Sequence, residues 1–147
     1  MATGAALAEV LGLETKEVGR LSLLGLVGEI ERGLPLSALD RLVHSLSPQD
    51  GSFAHRLVPR ATLARRRKGG EGALRLSPEE GAKVARLAEV WAFALDVWGS
   101  EEEARDFLFR EHPLLDMRRP VDVVLASEFG RPLVEGILGR LKYGLAV

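Results

Sequence analysis

Ser77-Pro78-Glu79-Glu80 marks the start of a helix more plainly than any other stretch of this chain marks an element. Ser77 can cap the first turn through its hydroxyl. Pro78 has the φ of a first helical residue and no amide to leave unsatisfied, and Glu80 can reach back to the amide of Ser77. The residues after Glu80 constrain the fold further. Val84, Leu87, Ala88, Trp91, Leu95 and Trp98 form one apolar stripe, and Val90, Phe93, Ala94 and Val97 form a second beside it. Two adjacent stripes are too wide for a helix with a single buried face, so the spacing predicts a long central helix. Gly99 can end it. Ser100-Glu101-Glu102-Glu103 then repeats the capping pattern, with acids at the positive end of the next helix dipole.

The rest of the chain points the same way. Ala, Leu, Glu and Arg dominate, β-branched and aromatic residues are scarce, and no segment reads as a strand, so the fold class is all-α. Residues 5–13 have a helical look, but Gly4 and Gly12 punctuate them weakly, and residues 1–20 are expected to pack loosely or fray. A helix is expected over residues 21–31, ended by Gly33-Leu34-Pro35, with Gly33 in a left-handed cap. Pro35 opens the next helix, whose apolar positions Leu36, Leu39, Leu42, Val43 and Leu46 face one side before a break at Ser47-Pro48. Two short helices come next between Phe53 and Lys68, turning at Val58-Pro59. Gly69-Gly70-Glu71-Gly72 reads as a hinge, giving an N-terminal segment at 1–20, one domain at 21–70 and a second at 71–147. In the second domain, helices are also expected after Ser100, at residues 120–126 and at 128–143.

Several classes are excluded. With 46% hydrophobic residues the chain can bury a core and is no disordered segment. It has no cysteine, which removes disulfides, thiolate metal sites and a cysteine nucleophile together. No apolar run is long enough to cross a bilayer, and no secretory start is present, so the expectation is a soluble cytoplasmic protein with no membrane partner.

Charge singles out one window. Arg56, Arg60, Arg65, Arg66, Arg67 and Lys68 stand together without an acid among them, in a chain of formal net charge -1. Such a concentration attracts phosphate. Its place on the second of two short helices joined by a turn describes a helix-turn-helix, with Arg60, Thr62, Arg65, Arg66, Arg67 and Lys68 as candidate DNA contacts and Leu63 turned inward. A solvated basic face without a ligand is the alternative. His44, His55 and His112 are scattered and make no metal motif, the Glu79-Glu80 and Glu101-Glu102-Glu103 clusters are explained by helix starts, and Gly69-Gly70-Glu71-Gly72 lacks the ending of a phosphate loop. No catalytic constellation and no cofactor site is read, and the protein is expected not to be an enzyme.

Near the C-terminal end, Gly130, Gly136, Gly139 and Gly144 interrupt a helical pattern. Each interior glycine costs a helix about 0.5–1 kcal/mol relative to alanine, so Gly136 and Gly139 are expected to allow close approach of another backbone, either within the fold or from a partner. The last residues, Lys142-Tyr143-Gly144-Leu145-Ala146-Val147, are mainly apolar and suited to docking.

Gly33-Leu34-Pro35, Thr62-Leu63-Ala64-Arg65-Arg66, Leu76-Ser77-Pro78-Glu79-Glu80 and Leu138-Gly139-Arg140-Leu141-Lys142-Tyr143-Gly144, in that order, resemble the Xre/MbcA/ParS-type antitoxins of bacterial toxin-antitoxin pairs. The resemblance covers residue 21 onward. It implies an N-terminal Xre-like helix-turn-helix domain followed by a helical toxin-binding domain, a homodimer, operator DNA as one partner and an NAD-consuming RES-domain toxin as the other. It also implies that the C-terminal end blocks the toxin's active site, which nominates Arg140, Lys142, Tyr143, Gly144, Leu145, Ala146 and Val147. The chain departs from the family pattern at Glu111-His112-Pro113, at residues 115–122 and at Gly81-Ala82. A dimeric helix-turn-helix transcription factor without a toxin is the reading from a second class.

Overall fold

The computed structural model describes residues 3–13, 22–70 and 74–144. The chain divides into two compact units, and the division falls between Ala85 and Arg86, inside one continuous helix. That helix is the one announced by Ser77.

In the first unit, α1 (Gly4–Leu11), α2 (Leu23–Arg32), α3 (Leu36–Leu46), a 3-10 turn (Gly51–Arg56) and α4 (Arg60–Arg67) precede the start of α5 (Pro78–Trp98). α1 departs from the loose packing expected of its segment. Thr3 caps it by accepting from the amide of Ala6, Leu7 and Leu11 are buried, and the helix packs on α3. Arg41 of α3 also donates to the carbonyl of Glu9 at 3.2 Å, satisfying an end the sequence pattern left open. Residues 14–21, including the expected start of α2 at residue 21, lie outside the described residues. On α3 all five predicted apolar positions are buried.

Gly33 closes α2 with φ 98° and ψ 111°, a positive-φ conformation other than the left-handed helical cap expected there. The reason is a pairing that sequence spacing does not announce. The amide of Leu36 donates to the carbonyl of Leu74 at 2.9 Å, and the amide of Leu76 donates to that of Leu34 at 2.7 Å. Arg75 donates to the carbonyl of Gly33 at 2.9 Å, and a Cβ on Gly33 would stand 3.0 Å from the carbonyl oxygen of Leu76. Residues 74–76 beyond the glycine-rich segment are thereby joined to the first unit. Ser77 and Glu80 then form the capping box: the amide of Ser77 donates to Glu80 Oε1 at 2.8 Å and the amide of Glu80 to Ser77 Oγ at 3.2 Å.

In the second unit, the remainder of α5 is followed by α6 (Glu101–Phe109), a 3-10 turn (Pro113–Leu115), α7 (Pro120–Ala126) and α8 (Gly130–Lys142). The wide apolar face of α5 is buried as its spacing predicts, with Leu87, Ala88, Val90 and Ala94 fully enclosed and Trp91 nearly so. Leu95, Val97 and Trp98, in its last turn, are only half-buried. Ser100 caps α6 by accepting from the amide of Glu103. α7 packs on α6 and on α8. Arg86 donates to the carbonyl of Leu125 at 3.3 Å, supplying a cation where the dipole of α7 is negative.

The close-approach glycine is Gly130, where a Cβ would stand 1.9 Å from the carbonyl oxygen of Val123. Gly136 and Gly139 are the positions the helical pattern favours for that role, yet a Cβ on either meets open space. Two substitutions separate these cases. Gly130→Ala is expected to lower unfolding free energy by about 1–3 kcal/mol because backbone must move. Gly136→Ala is expected to raise it by roughly 0.5–1 kcal/mol through helix propensity. Urea unfolding of the two variants checks both signs.

Candidate functional site

The cationic segment is carried by α4, and burial of Leu63 orients that helix. At about 3.6 residues per turn, positions three and four along fall on either side of a given residue's axial line. Arg66 and Arg67 therefore flank Leu63, and both turn back onto the unit. Arg66 Nη1 donates to Glu80 Oε1 at the start of α5. Arg67 forks onto Asp40 of α3, with Nη1 to Oδ2 at 3.1 Å and Nη2 to Oδ1 at 2.7 Å. That hydrogen-bonded carboxylate is the main cause of an upward shift in the pKa of Arg67.

Arg60, Ala61, Ala64 and Arg65 of α4 are exposed, as is Lys68 at its C-cap, and Thr62 is half-buried. The side chains of Arg60, Arg65 and Lys68 have no partner among the described residues. The six sequence-predicted residues thus do not form one solvent-facing row. Three cations face solvent and two hold the helix in place. Arg56, the remaining cation of the segment, lies 6.0 Å from the centroid of the Phe53 ring.

Glu80 sits where the capping box and the Arg66 pair meet. Burial is the largest single influence on its carboxyl and opposes ionisation. The hydrogen bond and charge of Arg66, with the amide and hydroxyl of Ser77, outweigh that influence and hold its pKa below the ordinary carboxylate value.

At the other end of the chain, α8 buries Val134, Ile137 and Leu138. Its other side carries an exposed row that sequence reasoning missed. Phe129 is 86% exposed, Leu133 59% and Tyr143 73%, and Gly136 and Arg140 complete the row at spacings of three and four. The same periodicity that assigns the core face would have found it, because large apolar residues recur on the face opposite Val134 and Leu138. Of the sequence-predicted residues at this end, Arg140, Tyr143 and Gly144 are exposed. Lys142 is also exposed but is held by Asp96 of α5 at 2.7 Å, and that hydrogen bond is the first cause of its raised pKa. Leu145, Ala146 and Val147 lie outside the described residues.

Arg131 anchors the inner flank of α8. It bonds Glu128 at 2.7 Å and Glu135 at 3.0 Å and lies 3.6 Å from Glu89 of α5. Its pKa is raised, chiefly by the bond to Glu128. Glu89 is shifted upward by burial first and by the nearby Glu135 second.

His44 and His55 line a cavity of about 310 Å³ together with Asp40 and Arg67. Among the described residues no group of three or more His, Asp or Glu is placed to hold a metal ion, and no helix is long and apolar enough to cross a membrane.

Two family models match this chain. The antitoxin Xre-like helix-turn-helix domain matches residues 25–89, and the antitoxin Xre/MbcA/ParS C-terminal toxin-binding domain matches residues 93–144. The chain belongs to the Xre/MbcA/ParS-type antitoxins. No match was found among curated proteins. In this antitoxin the helix-turn-helix match takes in α4 and its basic face, and the toxin-binding match takes in the exposed row of α8. α1 lies before both matches, although it is packed on α3.

The division of labour on α4 has a stability consequence. Arg66→Ala is expected to lower the stability of the antitoxin by about 1–2 kcal/mol, since a part-buried carboxylate loses its charge-assisted partner. Arg65→Ala is expected to leave stability within about 0.5 kcal/mol of wild type. The depressed pKa of Glu80 sets the pH dependence: its stabilisation is present above the ordinary carboxylate value and is lost as pH falls through the folded value. Thermal melts from neutral to acid pH should therefore fall more steeply for wild type than for Glu80→Gln.

Proposed function

We propose that this antitoxin neutralises an NAD-consuming RES-domain toxin by covering the toxin's active site with its C-terminal end, and that it represses its own operon through α4. The exposed row of Phe129, Leu133, Gly136, Arg140 and Tyr143 carries the first part of this reading. Large apolar side chains on the solvent side of a toxin-binding domain lose water-exposed area only by docking, at about 25 cal/mol per Å² removed from water. The open space over Gly136 and Gly139 leaves room for a partner backbone to come close to α8.

The row ends in Arg140 and Tyr143, both exposed and available to an acidic or polar pocket, and Leu145, Ala146 and Val147 follow in the sequence. Neutralisation of this kind is steric and needs no chemistry from the antitoxin, so we read the protein as a non-enzyme. A homodimer acting in the cytoplasm completes the reading.

For operator DNA, Arg60, Arg65 and Lys68 are the cations free to meet phosphate or a guanine edge, and Ala61 and Ala64 between them can approach a thymine methyl group. Arg66 and Arg67 are positioning residues in this reading, because their guanidinium groups are committed to Glu80 and Asp40.

Two experiments test the two surfaces separately. Co-expression with the product of the neighbouring gene, followed by an NAD assay, should show neutralisation by the full antitoxin and its loss on deletion of residues 143–147. Full neutralisation by the truncated protein would refute active-site covering. In a DNA-binding titration across salt, Arg65→Ala should weaken operator affinity and reduce the slope of log affinity against log salt by about 1, while sparing neutralisation.

A further inference from the structure

A cavity of about 450 Å³ opens within the second unit beside the end of α5, α6 and the last turn of α8. Part of its lining is aromatic and apolar. The rings of Trp98 and Phe107 are 6.1 Å apart and tilted by 37°, and His112 meets Phe107 edge-on, also at 6.1 Å, with Leu141 of α8 completing the lining. The rest of the lining is charged, with three carboxylates, of Glu103, Asp106 and Glu111, and the single guanidinium of Arg110. Those carboxylates have no hydrogen bond or ion pair among the described residues. Glu103 is accounted for by the first turn of α6. Asp106 and Glu111 stand beyond it, where the helix dipole gives no reason for an acid. The indole N–H of Trp98 is buried and has no partner among the described residues.

We propose that this cavity receives an arginine side chain presented by the toxin. Aromatic faces with carboxylates beside them suit a planar guanidinium, which stacks on rings and forks onto a carboxylate in one pose, better than they suit a compact ammonium. The excess of negative lining excludes an anionic ligand. The source comes from the domain: every lining residue falls within residues 93–144, the match to the toxin-binding domain, and Leu141 is carried by the same helix as the exposed row. This assignment of source rests on the antitoxin reading above. The arginine would give the apolar row a polar anchor, fixing the register of the complex.

The test has two arms. In the first, the full-length chain labelled with nitrogen-15 is titrated with N-acetyl-arginine amide, and with the citrulline analogue as a neutral isostere. The indole cross-peak of Trp98, distinguished from that of buried Trp91 by a Trp98→Phe spectrum, should move with the arginine compound and stay still with citrulline. It should also stay still in the Glu103→Gln, Asp106→Asn, Glu111→Gln triple variant. An unmoved Trp98, or equal shifts with the two compounds, overturns the guanidinium site.

In the second arm, the triple variant should bind the neighbouring toxin about tenfold or more weakly than wild type does. Equal affinity overturns the toxin as the source of the arginine. If wild-type protein itself binds no toxin, the antitoxin reading fails instead, and the first arm still decides whether the cavity takes a guanidinium.

Discussion

Glu80 is the residue on which the arrangement of the first unit turns. Its carboxylate accepts from the amide of Ser77, closing the start of α5, and from Arg66, holding α4 at a set angle to that start. Both bonds are charge-assisted and only partly exposed to water, so each is stronger than a surface contact of the same geometry. The consequence reaches the far side of α4. With Leu63 buried and Arg66 and Arg67 tied to carboxylates of the body, Arg60, Arg65 and Lys68 are the exposed cations left without a partner among the described residues.

A run of arginines on one helix is therefore two structures at once. The residues three and four along from the buried leucine reach carboxylates of the body, and the rest form an outward face. Charge density alone does not distinguish these roles, because all of the residues carry the same charge. The distinction comes from helical angle relative to a buried neighbour and from whether an acid lies within reach. At α8 the same logic runs in reverse. There Val134, Ile137 and Leu138 define the inward face, and the outward face is populated by Phe129, Leu133 and Tyr143, large apolar groups that gain nothing from water.

Much of the fold was legible from local sequence because its signals are local. A capping box at Ser77, a serine cap at Ser100, a proline-opened α7 and the spacing of Leu36 to Leu46 each place an element through interactions within about one helical turn. The pairing of residues 34–36 with 74–76 was not legible, since it joins backbone groups that no side-chain pattern specifies. Gly33 shows the difference: its positive φ was readable from residue type, but its actual conformation is set by the strand-like segment passing beside it. Glycine spacing on α8 likewise named the right helix, but within the fold the close approach is at Gly130 and not at Gly136 or Gly139. A glycine signals room for something close, and only the course of α7 decides that Gly130 is the one touched.

The sequence by itself determined an all-helical fold class, the limits of most helices and the inward turn of Leu63, because periodicity and caps act between residues near one another in the chain. Tertiary structure decided which cations of α4 are free and which glycine of α8 is touched by another backbone within the fold. Those outcomes depend on Asp40, Glu80 and Val123 arriving from other helices, at distances along the chain where local pattern carries no information.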